Sequence, residues 1–165
     1  MKQLRAYRDS DAETILSWSK DETSYYLWCA GVLGPWPASK DQMTFLHTMH
    51  AYVWEENDMP IGMFTLRWPE ENRRTMRFGF VIVDPARRRE GIASVMLEEG
   101  LRLVFDHFHA ETAELAVFEQ NAPAIACYKA AGFREIPGRC ETFLIGSMTW
   151  NCRIMEVKRE DRNSK

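Results

Sequence analysis

VDPARRREGIASVML, residues 83–97, joins two apolar runs through three arginines and a glycine. Upstream, TMRFGFVIV is β-rich and ends at Asp84-Pro85; downstream, Val95, Met96, Leu101, Leu103, Val104 and Phe105 give residues 92–108 the pattern of an amphipathic helix. A strand that enters a helix through a polar, glycine-containing turn leaves backbone N–H groups without intrahelical partners, with the positive end of the helix dipole behind them. Such a place attracts phosphate. Arginines at a helix start oppose the dipole unless an anion sits there, so the charge run itself favours an anionic ligand. Gly91 lets backbone approach that ligand, Ala93 keeps the next turn slim, and the amides from Arg89 to Ser94 are the donors. Neither G-x-x-x-x-G-K-S/T nor G-x-G-x-x-G occurs, so a nucleotide held in another way is what the turn implies.

Working outward, QLRAY (residues 3–7) reads as a short strand, and Ser10-x-x-Glu13 as a capping box that opens a first helix through Ile15, Leu16 and Trp18. GVLGPWP (31–37) is loop, followed by a second capping box at Ser39 and Gln42 and a helix with Met43, Leu46 and His47 on one side. Residues 52–55 and 61–68 form a hairpin about Asn57 and Asp58, and with residues 75–83 they give three antiparallel strands. AELAVF (113–118) is a buried strand, joined by the long helix to the strand before it and therefore parallel to it. NAPAIACYKAAGF supplies a short helix with Asn121 as N-cap, Pro123 in the first turn and Gly132 at the C-cap. Residues 133–136, 142–145 and 152–157 supply the closing strands, and the fold class is α+β with a mixed sheet.

The 165 residues suit one domain, 1–165, with 45% apolar and 27% charged side chains. The apolar runs are too short to span a membrane, and the N-terminus lacks a signal-peptide core, so a cytoplasmic location is expected. Cys29, Cys127, Cys140 and Cys152 have no metal-ligand spacing and read as thiols, with no metal expected. A net charge of −3 disfavours nucleic acid as a partner and leaves the arginines as a local feature.

Two segments together resemble the GNAT superfamily of N-acetyltransferases. Val81-Ile82-Val83-Asp84-Pro85 followed by Arg88-x-x-Gly91-x-Ala93 matches the family's strand and Q/R-x-x-G-x-G/A turn; Asn121, Ala124, Tyr128, Gly132 and Phe133 match N-x-x-A-x-x-x-Y-x-x-x-G-F. The resemblance implies a central, mostly antiparallel sheet splayed between its fourth and fifth strands, flanked by about four helices. It also implies acetyl-CoA as co-substrate. Arg88, Arg89, Glu90, Gly91, Ile92, Ala93 and Ser94 would take the pyrophosphate. The backbone of Val81, Ile82 and Val83 would align the pantetheine arm, the Val81 amide would polarise the thioester carbonyl, and Asn121, Ala124 and Tyr128 would flank the sulfur. Arg87 or Arg89 is a candidate for the 3′-phosphate. Tyr128 would be the general acid, since a phenol can protonate a departing thiolate. The glutamate that one branch of the family carries in the fifth strand is Ala116 here, so Glu119 is the candidate base, with Glu141 and a water chain as rivals.

The acceptor implied is a primary amine of a small molecule or peptide; Tyr25, Tyr26, Trp28 and Trp36 could cage a cation, or could simply pack. No membrane partner is expected, and the resemblance allows a homodimer. A non-catalytic acyl-CoA-binding or regulatory module on the same fold is the alternative reading.

Overall fold

The computed structural model describes residues 1–163. Seven strands hydrogen-bond in the order β1-β2-β3-β4-β5-β7-β6. They are β1 (Lys2–Ala6), β2 (His50–Glu56), β3 (Met59–Arg67), β4 (Thr75–Val83), β5 (Thr112–Phe118), β6 (Arg134–Ile145) and β7 (Met148–Lys158), with helices α1 (Ala12–Leu16), α2 (Glu22–Cys29), α3 (Ile92–Arg102), α4 (Ala122–Ala130) and α5 (Arg159–Asn163). The α+β class and the parallel β4–β5 pair are as the sequence implies. The chain forms two compact units. One comprises Met1–Thr65 and Phe80–Met96, the other Leu66–Gly79 and the chain from Leu97 onward.

In the first unit β1 lies antiparallel to β2, Lys2 opposite Glu56 through Ala6 opposite Tyr52. Asn57 and Asp58, at φ 52° and 68°, make the tight turn from β2 to β3; short polar side chains tolerate that left-handed geometry. One core gathers Ile15 of α1, Tyr25 and Trp28 of α2, Met43 and Leu46, Val53 of β2, Met63 of β3, and Phe80 and Ile82 of β4. Burying each such side chain contributes roughly 1.5–3 kcal/mol. On Gly62 of β3, a Cβ would lie 2.9 Å from the Met96 sulfur of α3 and 3.3 Å from the Ile82 carbonyl oxygen, so this glycine permits a close approach.

The N-terminal helices depart from the expectation in three ways. The first is not capped by Ser10 and Glu13: a 3-10 turn at Asp9–Asp11 precedes α1, and the Asp11 carboxylate accepts from the Arg8 amide at 2.9 Å. Asp11 wins because Arg5 already fixes its side chain from β1. The Ser39–Gln42 box does form, with Ser39 N–H donating to Gln42 Oε1 at 2.7 Å, but it opens a 3-10 helix at Lys40–Thr48. Finally, α2 was not expected; its N-cap is Asp21, whose carboxylate accepts from Ser24 N–H at 2.8 Å.

In the second unit β4 and β5 run parallel from Thr75 opposite Thr112 to Phe78 opposite Leu115. β7 runs antiparallel to β5 along its whole length, from Thr112 opposite Lys158 to Phe118 opposite Cys152. The expected segments 133–136 and 142–145 are one strand, β6, whose pairing with β7 is interrupted between Glu135 and Cys140. The long helix narrows to α3, followed by wider π-type turns at Leu103–His107. Phe78, Tyr128 and Phe133 stack edge to face at 5.9 and 6.1 Å between centroids within a buried set that includes Met76, Leu101, Leu115 and Met155.

Candidate functional site

In the first unit the end of β4, the arginine turn and the start of α3 form one continuous feature. Phe80 has φ 50°, a left-handed backbone that costs a bulky residue of order 1–3 kcal/mol and persists only where neighbours impose it. The neighbour is Trp28, whose indole N–H donates to the Phe80 carbonyl at 3.0 Å and whose ring meets the Phe80 ring at 5.5 Å. Val81, Ile82 and Val83 follow, and the chain leaves the strand at Asp84, whose amide donates to the Ile61 carbonyl at 2.9 Å. The Asp84 carboxylate accepts from Ala86 N–H and so caps the 3-10 turn at Pro85–Arg87.

Arg87 is engaged by two carboxylates. Its guanidinium binds Glu56 at the end of β2 and Glu90 across the turn, at 2.5 and 2.9 Å, and the Glu90 and Glu56 contacts raise its pKa. Arg87 thus braces the turn, whereas Arg89, the other candidate for the 3′-phosphate, carries no such contact among the described residues. Glu90 correspondingly offers a ligand only its backbone, because Arg87 holds its carboxylate and keeps its pKa low. Arg88 and Arg89 are exposed, and among the described residues neither joins an ion pair. Arg89 and Gly91 both take left-handed φ, 69° and 76°. The Gly91 carbonyl accepts the first helical bond of α3, from Val95 N–H at 3.2 Å, which makes Gly91 the N-cap and leaves the Ile92, Ala93 and Ser94 amides as the unpaired first turn. A Cβ added at Gly91 would meet no protein atom within 4 Å. Beside two free guanidiniums, that open space and those donors fit a diphosphate.

In the second unit β5 leads through Glu119 and Gln120 into α4. Asn121 is the N-cap by backbone alone: its carbonyl accepts from Ile125 N–H at 3.1 Å, and its side chain makes no capping bond. Ala124 is half-buried on the first turn. Tyr128 is buried against Phe133, and burial drives its phenol pKa well above 10. Glu119 is exposed, its amide donating to the Asn151 carbonyl at 2.9 Å. Glu141, the rival base, is held by both terminal nitrogens of Arg77 at 2.9 and 3.2 Å; that contact lowers its pKa and occupies its oxygens. Sequence reading missed Glu114, a buried carboxylate on β5 bound to the same arginine. Its signal was a lone charge inside the apolar run AELAVF.

The aromatics considered as a cation cage are largely core. Tyr25 and Trp28 are buried, the Tyr25 hydroxyl donates to the Gly34 carbonyl at 2.8 Å, and the Tyr26 hydroxyl accepts from Trp36 N–H at 3.1 Å. All four cysteines are free thiols. Among the described residues no His, Cys, Asp and Glu cluster could hold a metal ion, and no helix is long and apolar enough to cross a membrane.

Residues 6–133 match the model of the acetyltransferase (GNAT) family. An L-amino acid N-acetyltransferase of Escherichia coli K12 is 34% identical over 79 residues, which cover 47% of this chain and 48% of that protein. The chain thus aligns with about half the length of this curated relative. Among solved structures, spermidine N-acetyltransferase from Vibrio cholerae, in complex with CoA and spermine, superposes with a TM-score of 0.79 at 20% identity, covering 96% of each chain. An N-acetyltransferase from Staphylococcus aureus Mu50 gives 0.70 at 16% identity over 96% of this chain and 98% of its own. At those identities the structures speak for the fold, whereas the family match spans both the arginine turn and the Asn121–Phe133 segment. The chain belongs to the GNAT acetyltransferase family.

Proposed function

We propose that this chain is an N-acetyltransferase that moves an acetyl group from acetyl-CoA to a primary amine of a small molecule or peptide. The observation that carries this reading is the turn at the start of α3, where Gly91 at φ 76° opens onto unfilled space beside the unpaired first-turn amides and the exposed Arg88 and Arg89. Family membership and the CoA complex of a fold neighbour support it. Acetyl-CoA supplies an activated acyl group as a thioester. Arg88, Arg89 and the amides through Ser94 bind its diphosphate, and the backbone of Val81, Ile82 and Val83 orients the pantetheine arm. Asn121 and Ala124 flank the reacting end.

The phenol of Tyr128 keeps its proton at rest because burial disfavours the phenolate, and it gives that proton up at Oη only as the carbon–sulfur bond breaks; the proton that the attacking nitrogen sheds on becoming an amide restores the phenol. Glu119, exposed at the end of β5, takes the proton that the acceptor ammonium must shed. CoA release followed across an amine panel tests the assignment. Tyr128→Phe removes only the hydroxyl, so kcat should fall by about 100-fold or more while the KM for acetyl-CoA changes little. Tight acetyl-CoA binding with no CoA release from any amine would instead identify a non-catalytic acyl-CoA-binding module.

A further inference from the structure

The turn that we assign to the diphosphate runs through solvent. Arg88, Arg89, Glu90 and Gly91 are exposed, and Arg89 and Gly91 both take left-handed φ, 69° and 76°. Its backbone is tied at the two ends, where Arg87 N–H donates to the Asp84 carbonyl at 2.8 Å and the Gly91 carbonyl accepts from Val95 N–H at 3.2 Å. Between those bonds the fixed point is a side chain. Arg87 holds Glu90 through Nε, which donates to its two oxygens at 2.9 and 3.1 Å, and through Nη2, which donates at 3.0 Å. The same Nη2 lies 2.5 Å from the carboxylate of Glu56, the last residue of β2.

Glu56 is in turn fixed from the sheet. It lies opposite Lys2 in the β1–β2 ladder, and the Lys2 ammonium is 3.7 Å from its carboxylate. The Glu56 and Arg87 side chains are 23% and 29% exposed, so their contact is more shielded than an ordinary surface pair. Charge balances along these contacts, with the cations Lys2 and Arg87 facing the carboxylates Glu56 and Glu90. Asp84, the other carboxylate of the turn, caps Ala86 N–H at 2.9 Å. Arg88 and Arg89 are therefore the cations left for a ligand, and the balanced clamp sets where they and the first-turn amides stand.

We infer that Glu56, acting through Arg87 and Glu90, is a positioning residue for acetyl-CoA, fastening the diphosphate turn to β2 without touching the ligand. This rests on the acetyl-CoA reading and adds to it a residue from a strand that carries neither family motif. A turn already held in its binding shape loses less conformational freedom when the ligand arrives, so the clamp is read out as affinity. Charge alone predicts the reverse. Glu56 is an anion near an anion site, and its own field opposes the ligand.

The test titrates CoA and 3′-dephospho-CoA, which share the diphosphate, into the wild type, Glu56→Ala, Arg87→Met and the double variant by calorimetry. Salt of about 0.15 M, with a Debye length of about 8 Å, damps the direct field of a distant carboxylate. Both positions are partly exposed, and melting curves check that each variant is folded. Glu56→Ala and Arg87→Met should each weaken both ligands by about three- to tenfold. The double variant should bind as Arg87→Met does, because both changes break one tie. Glu56→Ala binding CoA as the wild type does, or more tightly as charge alone predicts, would overturn the inference and leave the acetyl-CoA reading standing. So would an Arg87→Met loss confined to CoA, which would make Arg87 a ligand of the 3′-phosphate instead of a clamp. No binding of either ligand to the wild type would fell the acetyl-CoA reading and the inference with it.

Discussion

Arg5, Arg77 and Arg87 each hold two carboxylates, and the surroundings give the three different roles. Arg87 braces an exposed turn, and Arg77 ties β4 to carboxylates of β5 and β6. Arg5 is structural: it binds Asp11 through two bonds of 2.8 Å and also binds Glu55, with side-chain exposures of 11%, 5% and 5%. Burial alone would raise the Asp11 pKa, but the Arg5 hydrogen bond and the Arg8 amide outweigh it and the pKa is lowered. A carboxylate whose folded pKa lies below its unfolded value contributes stability that is present above about pH 4 and lost as pH falls through the folded value. Arg5→Met should therefore cost roughly 1–3 kcal/mol at pH 7, and urea midpoints should show the gap to wild type narrowing below about pH 4. A gap of constant size from pH 7 to pH 3 would contradict the assignment.

At the scale of elements, β4 was legible as a strand and illegible as a bent one. The run TMRFGFVIV alternates buried and half-buried residues throughout, and alternation carries no sign that Phe80 is left-handed. Gly79 is the residue in that run with the backbone freedom for such a bend, yet the structure places it on Phe80, because Trp28, 52 residues away, holds the carbonyl. Helix α2 lacks a sequence signal for a related reason: YYLWC is aromatic, and its cap shows only in the contact of Asp21 with Ser24 N–H. Trp28→Phe keeps an aromatic ring but removes the donor and part of the packing, leaving a buried carbonyl unpaired. It should lower stability by about 1–2 kcal/mol, a drop of roughly 2–8 °C in Tm by calorimetry. An unchanged Tm would mean that the bend at Phe80 needs no support from α2.

For the whole molecule, the two motifs that point to a cofactor are local, each under 20 residues, and so were legible in the sequence. The order of elements followed from hydrophobic period and turn chemistry, and the parallel β4–β5 pair from the long helix between those strands. What could not be read is what depends on pairs distant in the chain. Arg77 meets Glu141 across 64 residues, and Arg87 meets Glu56 from another strand, which makes Arg87 a brace of the turn. The charge run carries no sign that Arg87 is paired while Arg88 and Arg89 are not; that shows only in the contacts. Binding of the acetyl-CoA diphosphate by the arginine turn is tested most directly by isothermal titration of acetyl-CoA into the protein and into Gly91→Val. Gly91 faces open space, so added bulk hinders a ligand rather than the protein's own packing, and a melting curve reports separately the strain of a β-branched residue at φ 76°. Saturable binding to the wild type, weakened by about tenfold or more in the folded variant, is the expected result; no binding to the wild type, or equal affinity in both proteins, would contradict it.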